Sequence, residues 1–211
     1  MPGRRILLVE GTDDENVIKH LCGNRGVGLI EITKANSVER LLSDLRVRLK
    51  ESEVEALGMV LDADTDLEGR WHALQHRLTE AGYDPVPQQP AVDGTILAAP
   101  ANSLLPRFGA WIMPDNRSRG ILEDFLHFLV PSGSRLFEHV KSSVASIPEG
   151  ERRFSQAAEP KAVIHTWLAW QKEPGRPLGT AIKARFLDPT VAEVDVFVGW
   201  LQRLYSAAPS A

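Results

Sequence analysis

Cysteine, tyrosine and long apolar runs are what this chain has least of. One cysteine, Cys22, in 211 residues excludes an internal disulfide and any cysteine-based zinc cluster. Placed on the apolar side of an expected helix, it reads as a small core residue. The two tyrosines, Tyr83 and Tyr205, fall in an expected loop and a terminal helix, which leaves no tyrosine nucleophile motif. No apolar stretch approaches the roughly 20 residues of a membrane span. Met1-Pro2-Gly3-Arg4-Arg5 leads straight into a strand pattern instead of a signal peptide, so the expectation is a cytoplasmic protein with no membrane partner. A Gly-x-x-x-x-Gly-Lys-Ser/Thr run is missing, and with it the phosphate-cradling loop of an ATPase. Neither internal repeats nor low-complexity segments occur.

Charge of one sign is also lacking. Lys and Arg number 24 against 28 Asp and Glu, a net charge of −4, which argues against a protein that coats nucleic acid by bulk electrostatics. An enzyme acting on nucleic acid needs only a local basic groove. Arg4 with Arg5, Arg117 with Arg119, Arg152 with Arg153 and Lys183 with Arg185 are the paired candidates, each better read as solvated surface because nothing in the sequence shows that they converge. The six histidines are scattered; His72 and His76 share a helix face at i, i+4 but have no acid at ligand spacing.

What is present is a folding pattern. Hydrophobic residues make up 43% and charged residues 25%, an ordinary globular balance. Apolar runs at Arg5 to Val9, Leu29 to Thr33 and Met59 to Asp62 read as buried strands. The helical periods that follow run over about residues 14–24 (capped by Thr12 or Asp13), 38–53 (capped by Ser37) and 68–81. Strand and helix alternating in this way predict crossovers over a mostly parallel sheet. Five prolines from Tyr83 to Pro106, the last included, exclude long helices there. Residues 95–98 read as a short edge strand, 108–113 as a further strand, and 120–129 as a helix with Glu123 and Asp124 in its first turn. Beyond Pro131 the reading is helical, over about 134–146, 161–172, 180–186 and 190–205. Trp167, Leu168 and Trp170, and Val194, Phe197, Val198 and Leu201, are expected to pack into the core.

The chemistry is concentrated in acids. Met59-Val60-Leu61-Asp62-Ala63-Asp64-Thr65-Asp66 is an apolar strand ending in three carboxylates spaced two apart, and the first strand ends in Glu10-Gly11-Thr12-Asp13-Asp14. Ligand sites in open sheets lie beyond the carboxyl ends of the strands. Like charges crowded there need a cation to stay ionised. Asp62 and Asp64 share a strand face, and Glu10 and Asp14 can converge across a strand-to-helix turn. Oxygen ligands without histidine or cysteine suit Mg2+ or Mn2+ better than zinc.

These residues carry a resemblance. Val9-Glu10-Gly11 with Asp13-Asp14, followed by Asp62-Ala63-Asp64-Thr65-Asp66, resembles the Toprim domain of topoisomerases, primases and OLD-family nucleases over about residues 4–130. With Met113-Pro114-Asp115-Asn116 ahead of Gly120-Ile121-Leu122-Glu123-Asp124, the whole chain resembles a small stand-alone Toprim-related bacterial family, DUF3226-like and akin to the OLD nucleases. The resemblance implies a Toprim-like (Rossmann-like) α/β core at 4–130 with a mostly parallel sheet of four to five strands. A helical extension at 131–205 and a flexible tail at 206–211 complete the expected organisation. It implies Glu10, Asp62 and Asp64 as catalytic residues, with Glu10, Asp14, Asp62, Asp64, Asp66 and Glu123 holding one or two Mg2+ or Mn2+ ions. It also implies a phosphate-steadying lysine that no flanking motif places; Lys161 and Lys183, with Arg117 and Arg119, are guesses for nucleic-acid contacts.

The expected activity is metal-dependent cleavage of DNA or RNA. Since the ATPase of full-length OLD proteins is missing, a partner ATPase is a further expectation. Two alternatives stay open. One is a non-catalytic module in which the acids bind a metal or a partner. The other is a phosphatase or phosphoacceptor domain: Asp-x-Asp after a strand opens the haloacid-dehalogenase phosphatases, though the residue four positions after Asp62 is Asp66 where those have Thr or Val. Receiver domains carry paired acids directly at the end of the first strand, where Gly11-Thr12 intervenes here.

Overall fold

A computed structural model describes residues 3–23 and 25–206. Five strands, β1 (Arg4–Val9), β2 (Glu31–Lys34), β3 (Val54–Asp62), β4 (Thr95–Leu97) and β5 (Arg107–Met113), form one sheet in the order β2-β1-β3-β5-β4. All neighbours are parallel except β4, which pairs antiparallel with β5 at one edge. The mostly parallel α/β sheet flanked by helices is the fold class that the alternating pattern predicts.

Period-two alternation splits the sheet's side chains between two cores. Ile6, Leu8, Leu57, Met59 and Leu61 face a layer made by α2 (Val38–Arg48) and α3 (Leu67–Ala81). Leu7, Val9, Val60, Trp111 and Met113 face the other layer. That layer contains α1 (Thr12–Cys22), α4 (Leu122–Phe128), α5 (Arg135–Ala145), α6 (Glu159–Ala169), α7 (Leu178–Lys183) and α8 (Ala192–Tyr205). Each fully buried Leu, Ile or Phe in these layers contributes about 1.5–3 kcal/mol. The helices beyond Pro131 therefore share a core with the sheet.

Docking of α8 depends on two glycines. Gly58 and Gly109 are register partners in the middle of the sheet. A Cβ on Gly58 would lie 2.5 Å from Tyr205 Oη, and one on Gly109 would lie 2.6 Å from Leu204 Cδ2. The missing side chains form a notch that admits the end of α8, and there Tyr205 Oη donates to the Ile6 carbonyl at 2.7 Å.

Several boundaries differ from the sequence reading. The first helix begins at Thr12 with Gly11 as its N-cap, because the side chain expected to cap it from outside is instead Asp14, reaching back from the third helical position. Its expected end at Asn24 falls outside the described residues, as does all of the expected tail except Ser206. Strand β2 starts at Glu31; Leu29 is 96% exposed and lies ahead of it. Helix α2 stops at Arg48 and not at 53, because the chain must reverse through Glu53 (φ 65°) to enter β3, which is correspondingly longer than the Met59–Asp62 run. Ser37 caps α2 as expected. Trp170 lies just past the end of α6, 44% exposed, while Trp167 and Leu168 are buried. Among the described residues no helix is long and apolar enough to cross a membrane.

Candidate functional site

In this strand order the crossovers depart in opposite directions from β1, to β2 on one side and β3 on the other, so the topological switch point lies between β1 and β3. Glu10 and Asp62 stand at the carboxyl ends of those two strands. The Asp62 amide donates to Glu10 Oε1 at 2.9 Å. Asp62 Oδ1 in turn accepts the amide of Leu122, the first residue of α4, at 3.0 Å. The end of β3 is thereby joined to β1 on one side and to a helix N-terminus on the other, where partial positive charge favours an anion.

Asp14 and Glu123 complete the group and are its buried members, at 8% and 2% exposure, while Glu10 and Asp62 are half-buried. Asp14 Oδ2 accepts the Gly11 amide at 3.0 Å, closing the first turn of α1. Glu123, in the first turn of α4, has Lys161 Nζ at 3.7 Å from its Oε1. Lys161 comes from the start of α6, so the helical region beyond Pro131 supplies a cation to the acids at the strand ends.

Electrostatics bind the four acids into one unit. Burial, then the neighbouring charges of Glu10, Asp14, Glu123 and Asp64, push the Asp62 carboxyl up to about 9. Burial also raises Glu10, with Asp14 and Asp64 adding to it while the Asp62 amide and the Arg70 charge oppose it. Asp14 and Glu123 are raised for the same first reason, each with Lys161 acting against the rise. Asp62, whose ionisation the charges of Glu10, Asp14 and Glu123 all disfavour, is under-supplied with positive charge.

Asp64 and Asp66 are engaged differently. Asp64 is exposed, has φ 52° and forms an isolated bridge with Gly120 through its amide. Its Oδ2 is held by Arg70 at 2.6 Å, and Arg70 Nε donates to the Asp62 carbonyl at 2.9 Å. Asp66 is the N-cap of α3, its Oδ1 accepting the Gly69 amide at 2.8 Å. The third aspartate of the strand-end run thus starts a helix and stands apart from the acid group. Among the described residues no three His, Cys, Asp or Glu side chains are arranged to hold one ion.

Beside the acids a cleft of about 350 Å³ is lined by Asp64, Arg119, Gly120, Asp124, Gln156 and Pro160, among others. Gly120 has φ 148°, and a Cβ there would lie 2.7 Å from Asp124 Oδ2, so this turn requires glycine. Of the guessed basic residues, Lys161 reaches the acid group and Arg119 the cleft. Arg117 lines separate grooves near Trp111 and His72. Lys183 is exposed on α7. Arg70 was missed by the sequence reading; the available signal is its place four residues after the Asp66 cap, within the first turns of the helix leaving β3.

Fold and site together define a five-stranded α/β protein with half-buried and buried acids at the switch point of the sheet. The chain belongs to a family described as a protein of unknown function, DUF3226, whose profile matches residues 4–206. No curated protein and no solved structure gives a match.

Proposed function

We propose that this chain performs Mg2+- or Mn2+-dependent phosphodiester chemistry on nucleic acid, in the manner of an OLD-like Toprim nuclease. The observation that carries the reading is the charge-deficient group of Glu10, Asp14, Asp62 and Glu123 at the carboxyl ends of the strands. Within it Glu123 is 2% exposed and, among the described residues, has only a lysine 3.7 Å away as a partner from another residue. The donor set fits a hard divalent ion: it is all carboxylate oxygen, with neither cysteine nor histidine in the group. Glu10, Asp62 and Glu123 would hold one ion, with Asp14 and Asp64 available to a second. When bound, such an ion neutralises charge on the phosphate and lowers the pKa of a bound water.

The chain's own residues would do the rest. Glu10 keeps one carboxylate oxygen free of the Asp62 amide, and its burial makes it a stronger base than a solvated glutamate, suited to taking a proton from the attacking water. Lys161, 58% exposed beside Glu123, is placed to meet a phosphate oxygen. Arg119 on the cleft rim would steer the strand towards the acids.

The test is cleavage of single- and double-stranded DNA and RNA by purified protein with Mg2+ or Mn2+. Glu10→Gln and Asp62→Asn are expected to abolish cleavage while the far-UV CD spectrum stays unchanged. Cleavage that persists in both variants rejects the assignment.

A second reading is favoured by one observation: Glu10 and Asp62 each accept a backbone amide, and no three acids are arranged around one point. On that reading the acids tie the strand ends together in a non-catalytic module that binds a metal or a partner, such as an ATPase. Calorimetric titration with Mn2+ separates the two. Binding that Asp62→Asn removes, without cleavage of any substrate, favours the module.

A further inference from the structure

The positive charge closest to Asp64 belongs to the chain itself. Arg70 divides its guanidinium between two acceptors, Nε to the Asp62 carbonyl at 2.9 Å and a terminal nitrogen to Asp64 Oδ2 at 2.6 Å. Its side chain is only 18% exposed, against 49% for Asp64. The bond to the Asp62 carbonyl fixes the fork against the end of β3, so the terminal nitrogen stays beside Asp64. Asp64 cannot move away as a unit, because its amide is bonded to the Gly120 carbonyl at 2.9 Å. Its side chain can still rotate, and a rotation away from Arg70 breaks the 2.6 Å contact.

We propose that Arg70 is the resident counter-ion of Asp64, and that a divalent cation entering the acid group takes Asp64 from it. The inference rests on reading the acids as a metal centre. It accounts for the dispersed arrangement of the carboxylates: one is held aside by a guanidinium occupying the place a metal charge would take. Two cations compete for one carboxylate, and the arginine also repels the incoming ion over a few ångströms. Arg70 therefore sets the affinity of the site and selects for doubly charged ions, which outcompete a single guanidinium charge.

The experiment is calorimetric titration of the full chain with Mn2+, comparing wild type, Arg70→Gln, Arg70→Lys and Asp62→Asn. Arg70→Gln removes the charge and keeps a donor for the Asp62 carbonyl; it is expected to bind Mn2+ about ten-fold more tightly than wild type. Arg70→Lys keeps the charge and should stay within about three-fold of wild type. Unchanged or weaker Mn2+ affinity in Arg70→Gln overturns the proposal, while loss of binding in Asp62→Asn in the same series leaves the metal reading standing. Absence of Mn2+ binding in wild type and Arg70→Gln alike rejects both. A measurement on wild type is independent of how the variants fold: in nitrogen-15 spectra, Mg2+ should shift the terminal guanidinium resonances of Arg70 and leave Nε nearly unmoved. Unshifted terminal resonances at saturating Mg2+ overturn the proposal.

Discussion

The main-chain amide of Asp62 donates to Glu10 Oε1 at 2.9 Å, so the carboxylate that follows β1 is held by the backbone that ends β3. One bond thus joins the two strands flanking the switch point and fixes where the first acid stands relative to the second. Function and stability are entangled at this pair, and the choice of substitution decides which is measured.

Glu10→Gln keeps an oxygen acceptor for the Asp62 amide and removes the charge. The variant is expected to fold with stability equal to or above wild type, since one member of a mutually repelling group is gone. Glu10→Ala leaves the amide without its partner and should cost about 1–3 kcal/mol. Urea unfolding of the two variants side by side checks the contrast. Equal stabilities would mean that the bond between strand ends contributes nothing.

The raised carboxyls predict a pH dependence with a definite sign. In the metal-free protein Asp62 titrates at about 9, against 3.8 unfolded, and Glu10, Asp14 and Glu123 are raised as well. A folded state that binds protons more tightly than the unfolded chain has the associated stability in full below the unfolded values. That stability is lost as pH rises towards 9. The midpoint of thermal unfolding should therefore fall between pH 6 and pH 9. Saturating Mg2+ is expected to flatten the fall on the metal reading. EDTA should restore it.

How much of this was legible in the sequence follows from the range of each signal. The strands ending in Val9 and Asp62 and the Ser37 cap rest on contacts within a few residues, and local pattern located them. The shared position of Glu10, Asp62 and Glu123 required the strand order, which the alternation of strand and helix implied without specifying. Capping by Asp66 and by Asp14 was open to a local reading, but both residues were also counted as candidate ligands, and a carboxylate satisfies either role with the same spacing. Lys161 reaches Glu123 from 38 positions away, and Arg70 meets Asp64 only because the turn after β3 folds back. Neither relation leaves a periodic trace. The notch at Gly58 and Gly109 was invisible for the same reason, since each glycine by itself is compatible with a strand.

His127 governs the acidic side of the stability profile. Burial holds its imidazole below the ordinary value, with Asp124 and the Pro160 carbonyl acting the other way and Lys141 adding to the depression. Its Nε2 is buried without a partner among the described residues, and its ring packs edge-on to Phe137 at 5.3 Å. The unfolded chain takes up a proton near pH 6.5 that the folded protein resists. Stability present above that pH is accordingly lost as pH falls through and below it. His127→Leu should remove this dependence between pH 7 and pH 5. Thermal unfolding at the two values for wild type and variant measures it, and an unchanged slope in the variant rejects the assignment to His127.

The end of α8 offers the sharpest packing test. Gly58→Ala places a methyl group 2.5 Å from Tyr205 Oη and 2.7 Å from Leu7 Cδ1 in the middle of a parallel sheet, where neither neighbour has room to retreat. Overpacking of this kind typically costs about 1–3 kcal/mol. Tyr205→Phe keeps the ring and removes the hydroxyl's hydrogen bond to the Ile6 carbonyl, at about 1 kcal/mol. The two changes act on one contact, so their combination should cost less than the sum: deleting the hydroxyl makes space for the new methyl. Strict additivity in a double-mutant cycle would show that Gly58 and Tyr205 do not meet. Sub-additivity would confirm that the C-terminal helix is seated directly on the strand whose far end holds Asp62.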